Sequence, residues 1–182
     1  MINGVKQWIT NAPYADYAAV FAVTNEDMMA QRKGGTTGFL VDTRQAGVDT
    51  STIFPIMGHV SSDCGSVILE DVRVKEDYVL GEVDQGFRIS MLGISEGRLG
   101  YAAGCLGLAE WALDRCLEYV KQRETFGRPL ADHQAIQWML ADSAIDIYTA
   151  KYAALRTAEL VGEHQSMGRV PVKEVSVVKA YT

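Results

Sequence analysis

The chain has 182 residues, 48% of them hydrophobic and 22% charged, the balance of a globular protein and not of a disordered segment. Its net charge of −6, with no basic run and no basic stripe interleaved with aromatics, argues against nucleic acid as a partner. No apolar stretch approaches the roughly 20 residues that span a bilayer, so no membrane partner is expected.

Two textures divide the sequence. Residues up to about 85 are rich in β-branched and turn-forming types; from about 86 onward Ala, Leu and helical periodicity dominate. Asn3-Gly4 carries the strongest short hairpin signal, since both central residues of such a turn need positive φ. Strands are expected over Lys6–Thr10, Tyr17–Thr24, Thr37–Asp42, Val48–Phe54, Ser66–Val74 and Tyr78–Leu80, with turns at Gly34-Gly35, Gln45-Ala46-Gly47 and Gly58. Short strands at this spacing suggest an antiparallel barrel or sandwich.

A long helix is expected from Gln85 or Gly86 to Gln122 or Arg123. Ile89, Leu92, Leu99, Ala103, Leu106, Ala109, Leu113, Cys116, Leu117 and Val120 form its buried stripe. Gly100, Gly104 and Gly107 lie near that stripe. Each costs about 1 kcal/mol against Ala, so a closely approaching helix or ligand is the expected compensation. Phe126-Gly127-Arg128-Pro129 ends this helix. A second runs from near Ala131 to about Gly162, and a third opens near Pro171. Long helices with short links form up-and-down bundles. Cys64, Cys105 and Cys116 match no metal-binding spacing. Cys105 and Cys116 are expected to be buried thiols of a reducing compartment. Asn3-Gly4 reads as a hairpin turn with one arm absent, and the last helix has no Gly or Pro stop. The expectation is a piece of a longer protein.

Several residues carry chemistry. On a strand, Trp8 and Thr10 share a face, and an indole beside a hydroxyl suits a flat heteroaromatic ring. From the residues alone, a core Trp on a sandwich strand is the favoured alternative. Arg123, at the end of the first long helix, either complements the helix dipole, as a solvated charge, or grips a phosphate. His133 and Gln137 share a helix face, with Asp132 or Asp142 placed to orient the histidine. Glu96 is either a base of raised pKa among apolar neighbours or, as favoured, an ion-paired or exposed helix residue. Ser61-Ser62-Asp63-Cys64 lacks a nucleophile elbow and reads as a turn. With only His59, His133 and His164 and no carboxylate cluster, no metal site is expected.

The ordered set of these motifs resembles the acyl-CoA dehydrogenase family. The matching residues are Gly4-Val5-Lys6-Gln7-Trp8-Ile9-Thr10-Asn11-Ala12 with Ala15-Asp16; Met57-Gly58 before Ser61-Ser62-Asp63; and Glu70-Asp71-Val72-Arg73-Val74 with Val79-Leu80-Gly81-Glu82 and Gly86-Phe87. They continue through Gly97-Arg98, Ala102-Ala103, Gly107-Leu108-Ala109 and Ala112-Leu113-Asp114 to Tyr119, Arg123, Thr125-Phe126-Gly127 and Pro129-Leu130. The last are His133-Gln134-Ala135-Ile136-Gln137 and Leu140-Ala141-Asp142. Lys75 departs from the Pro that members commonly carry there.

The resemblance implies an α+β fold: an antiparallel β-barrel or sandwich domain over 1–84, lacking its N-terminal part, and an incomplete up-and-down four-helix bundle over 85–182. It implies FAD as cofactor. Trp8, Ile9 and Thr10 would contact the flavin ring, and Arg123, Thr125, Phe126, His133 and Gln134 would contact the FAD of a neighbouring subunit. Arg98 and Ser95 would lie against an acyl-CoA substrate. The implied reaction is α,β-dehydrogenation, with electrons passed to an electron-transfer flavoprotein by a homotetramer in the cytoplasm or the mitochondrial matrix. An acyl-CoA oxidase, a flavin monooxygenase-like relative or a catalytically silent scaffold are the alternatives. The base is expected beyond Thr182. The minority position for it, immediately before Arg98, holds Gly97, and Glu96 lies about 100° around the helix from there.

Overall fold

The computed structural model describes residues 1–58, 61–165 and 169–182; His59 therefore lies outside the described residues. The chain forms two compact units, Met1–Met91 and Leu92–Thr182. It is an α+β protein of antiparallel sheets and long helices.

In the first unit, β1 (Ile2–Thr10) pairs antiparallel with β6 (Cys64–Val72), and β4 (Val48–Asp49) and β5 (Ile53–Phe54) pair with β6 as well. A second sheet joins β2 (Tyr17–Val23), β3 (Thr36–Asp42) and β7 (Val79–Leu80). Alternate side chains from both sheets meet in one core: Ile2, Val67, Leu69 and Val72 from the first, Val20 and Val41 from the second, with Ala12 between. A short helix α1 (Glu26–Ala30), not expected from the pattern, sits in the β2–β3 connection. Its Asn25 cap accepts a hydrogen bond from the Met28 N–H.

Asn3-Gly4 is not a hairpin turn. It lies inside β1, opposite a bulge in β6 where Asp71 takes a φ of 52°. The Asn3 carboxamide serves that bulge, accepting from the Asp71 N–H at 2.7 Å and donating to its carboxylate at 3.1 Å. The expected strand Val48–Phe54 is two short strands, because Asp49 accepts a hydrogen bond from the Ser51 N–H and turns the chain between them. That bond also holds the Asp49 carboxyl below the usual range. Gly47, at φ 88°, packs against the same bulge; a Cβ there would lie 2.1 Å from the Glu70 carbonyl oxygen.

The long helix α2 (Gly86–Gln122) starts where Thr37 accepts a hydrogen bond from the Asp84 N–H and Thr24 donates to the Asp84 carboxylate. In the second unit, Ala102 and Leu106 of α2, Ala150 and Ala154 of α3 (Gln134–Gln165) and Val178 of α4 (Val172–Tyr181) share a core. Small residues let α3 and α4 approach closely. The expected α2 stripe is only partly covered: Leu106 and Val120 are buried, whereas Ala103, Cys116 and Leu117 are exposed. Gly100, Gly104 and Gly107 face open space, so no close neighbour among the described residues compensates for them. Cys105 and Cys116 are exposed, contrary to the expectation, because nothing among the described residues covers the helix faces that carry them, and Cys64 is buried. No described helix is long and apolar enough to cross a membrane.

Leu69→Ala, at a side chain only 2% exposed, is expected to cost about 2–5 kcal/mol in urea unfolding, and Gly47→Ala more than about 1 kcal/mol. Hydrogen bonds from Arg44 hold the Asp42 carboxyl below its ordinary value. The stability this pair adds is therefore complete above the unfolded carboxylate pKa and is lost as pH falls through the lowered one. Arg44→Ala should therefore lose the pair's small contribution at neutral pH, and its difference from the wild type in urea unfolding should vanish as pH falls through the lowered pKa.

Candidate functional site

The two units each carry a cluster of exposed, strained aromatic and polar residues. In the first unit, two residues of β1, Gln7 and Trp8, oppose one of β6, Ser66, between the Lys6–Val67 and Ile9–Gly65 pairs. The extra residue is accommodated at Trp8, which takes a φ of 59°. A bulky side chain in the left-handed region is an outlier, worth about 1–2 kcal/mol of strain. Its indole is 64% exposed, which removes the reading of a core Trp. One flank of the ring lies against Phe54, with centroids 4.5 Å apart and planes tilted by 37°.

Thr10 and Phe54 both pair with Cys64, from opposite sides of β6, and directly opposed residues share a face. The ring contact brings Trp8 onto that same face. Thr10 is exposed, as is Ile9. Beyond the strand, Asn11 donates its N–H to the Asp63 carbonyl, Ser62 donates to the Asn11 side chain, and the Tyr14 hydroxyl donates to the Asp63 carboxylate. The Ser61–Asp63 segment is thus a turn that clamps the exit of β1.

In the second unit, β8 (Glu124–Thr125) and β9 (Arg128–Pro129) form a two-residue hairpin. Its turn residues, Phe126 and Gly127, have φ of 50° and 76°, the type I′ pattern. Gly127 suits that conformation; Phe126 does not, and its ring is 98% exposed. Behind the turn, His133 closes the loop. Arg128 lies 3.3 Å from Nδ1, and Nε2 lies 3.3 Å from the Thr125 carbonyl and 3.4 Å from its hydroxyl. With Arg128 donating to Nδ1, the imidazole proton sits on Nε2 and is donated to Thr125.

Neither Asp132 nor Asp142 orients the imidazole; the hairpin does. The expected helix start at Ala131 is a 3-10 turn over Leu130–Asp132, and His133 stands at the entry of α3 with its carbonyl accepting from Ile136 and Gln137. Gln137 turns back to donate to the Ala131 carbonyl. Gln134 is exposed in the first turn of α3, and Arg123 is exposed just after α2. Among the described residues no hydrogen bond or ion pair engages the Arg123 side chain. On α2, Ser95 is buried, Arg98 half-buried and Glu96 exposed.

Models of two domains match the chain: the acyl-CoA dehydrogenase middle domain over residues 1–72 and the acyl-CoA dehydrogenase C-terminal domain over 84–182. The chain belongs to the acyl-CoA dehydrogenase family. It is 37% identical, over 98% of its length, to the mitochondrial short-chain specific acyl-CoA dehydrogenase of Homo sapiens, of which it covers 42%. It is 36% identical over its whole length to the caffeyl-CoA reductase-Etf complex subunit CarC of Acetobacterium woodii, covering 46% of that protein. Among solved structures, butyryl-CoA dehydrogenase from Megasphaera elsdenii superposes with a TM-score of 0.87 at 33% identity, over 98% of this chain and 45% of that one. The chain thus spans less than half the length of the relatives it matches.

Within this acyl-CoA dehydrogenase-family chain, sequence reasoning overlooked two residues. Phe54 touches Trp8 only through strand register, which no local pattern records. Arg128 lies in a motif that reads simply as a helix stop. Phe126→Asn, which relieves the left-handed strain and removes little packing, should leave the chain as stable or raise its stability by up to about 1 kcal/mol in thermal unfolding.

Proposed function

We infer that this chain is the flavin-facing part of an FAD-dependent acyl-CoA dehydrogenase that oxidises an acyl thioester between its α and β carbons. The observation that carries the reading is Trp8: a strained, exposed indole on one sheet face with the Thr10 hydroxyl. The donor set fits FAD. Trp8 supplies a flat apolar platform, Thr10 a hydrogen bond to a ring heteroatom, and Ile9 an apolar flank. Arg123 offers an unengaged guanidinium to a pyrophosphate, and Phe126, held by the His133–Thr125–Arg128 loop, offers an exposed ring. Gln134 adds an amide beside that loop. Arg123, Thr125, Phe126, His133 and Gln134 would meet the FAD of a second subunit in a homo-oligomer, a tetramer by the family pattern.

FAD, when bound, supplies the hydride acceptor. This chain's residues hold its ring and exclude water, and Arg98 and Ser95 orient the thioester. Residues 1–84 then serve as the middle domain and 85–182 as the start of the helical bundle. We place the base beyond Thr182, since Gly97 precedes Arg98 and Glu96 is exposed. Electrons would leave to an electron-transfer flavoprotein. A relative named as a subunit of a caffeyl-CoA reductase-Etf complex supports that partner.

Two relatives are named as reductases of unsaturated aryl substrates, the caffeyl-CoA subunit and the 39% identical 3-(aryl)acrylate reductase of Clostridium sporogenes. They favour a second reading, the same site run as an enoyl-thioester reduction. The test is the visible absorbance of the whole protein under anaerobic conditions. Bleaching by a saturated acyl-CoA is expected for the dehydrogenase. Recovery of the pre-reduced band on adding cinnamoyl-CoA, with no bleaching by saturated thioesters, would favour the reductase. No flavin band after FAD is supplied would overturn both.

A further inference from the structure

We propose that Phe54 is a positioning residue: it sets the plane of the Trp8 indole and, through that plane, the seat of the flavin ring. The proposal rests on the flavin reading of Trp8.

The backbone of Trp8 does not hold the ring by its own preference. At φ 59° the residue sits in a region that bulky side chains avoid, and the indole emerges from a bulge where strand alternation no longer dictates its direction. With 64% of the residue exposed, core packing does not fix it either. Among the described residues, its one ring partner is Phe54, at 4.5 Å and 37°.

Phe54 has what Trp8 lacks. It is half-buried and stands on β5, pinned to β6 by the Phe54–Cys64 and Ile53–Gly65 pairs. The central strand thus separates the two aromatic residues, and the indole leans across it onto a fixed phenyl ring. One flank of the indole is seated and the rest stays open to a further flat ring. A tilted aromatic pair of this kind limits the indole to a narrow range of orientations, which is the preorganisation a stacked heteroaromatic ligand needs.

The experiment uses the FAD-loaded whole protein and reads the visible circular dichroism of the flavin and the FAD dissociation constant. Phe54→Leu keeps the apolar bulk and removes the ring. It should weaken FAD binding about three- to tenfold and change the flavin dichroism, and Phe54→Tyr should restore both. A Phe54→Leu protein that melts earlier but keeps wild-type dichroism and affinity has lost packing alone and overturns the proposal. Trp8→Ala separates the two levels. If it disturbs the flavin signals and Phe54→Leu does not, the flavin reading stands and the role of Phe54 falls. If neither variant disturbs them, the flavin reading falls as well.

Discussion

Strand β6 is the member on which the first unit depends. Both of its edges are paired, to β1 on one side and to β4 and β5 on the other, while Val67, Leu69 and Val72 on one face enter the core. Register is therefore fixed twice, by burial and by the ladders, and a slip of one residue would turn the core face outward. The two bulges are local concessions to that register. One on β6 is served by Asn3, and one on β1 throws out Trp8. The exposed aromatic residue of the candidate site is thus a product of the pairing that builds the core.

The second unit uses strain in the same way on a smaller scale. Its hairpin closes with two positive-φ residues, yet one of them is Phe126. The cost is met by the ring of His133, which ties both arms of the hairpin through Thr125 and Arg128. Strained conformations of non-glycine residues persist only where surrounding contacts over-determine them, and they gather at binding sites. Trp8 and Phe126 are both such residues, and both are exposed.

Long elements were legible and local exceptions were not. The limits of α2 follow from an unbroken helical pattern between the Gly81–Gly86 turns and the Phe126-Gly127-Arg128-Pro129 stop. The bounds of β2 and β3, expected at Tyr17–Thr24 and Thr37–Asp42, follow within one residue from their β-branched texture and the Gly34-Gly35 turn between them. By contrast, Asn3-Gly4 has the composition of a turn, and its use inside a strand depends on Asp71, far along the chain. Burial of Cys105 and Cys116 was misread because periodicity reports that a face is apolar, not that anything covers it. Motif order made the family legible. The left-handed backbone of Trp8, the Phe54 contact and the hairpin's hold on His133 depend on three-dimensional neighbours that no local window contains.

The pairing of β1 with β6 also sets a timetable for folding. Asn3 and Asp71, which bond across that ladder, lie 68 positions apart. Contacts of such separation close slowly, because the loop entropy is spent before the ladder forms. During synthesis β1 must wait for β6 to emerge, with its Val5, Trp8 and Ile9 open to solvent and its backbone unpaired. The strand that carries Trp8 and Thr10 is thus also one in need of shielding while the chain is being made.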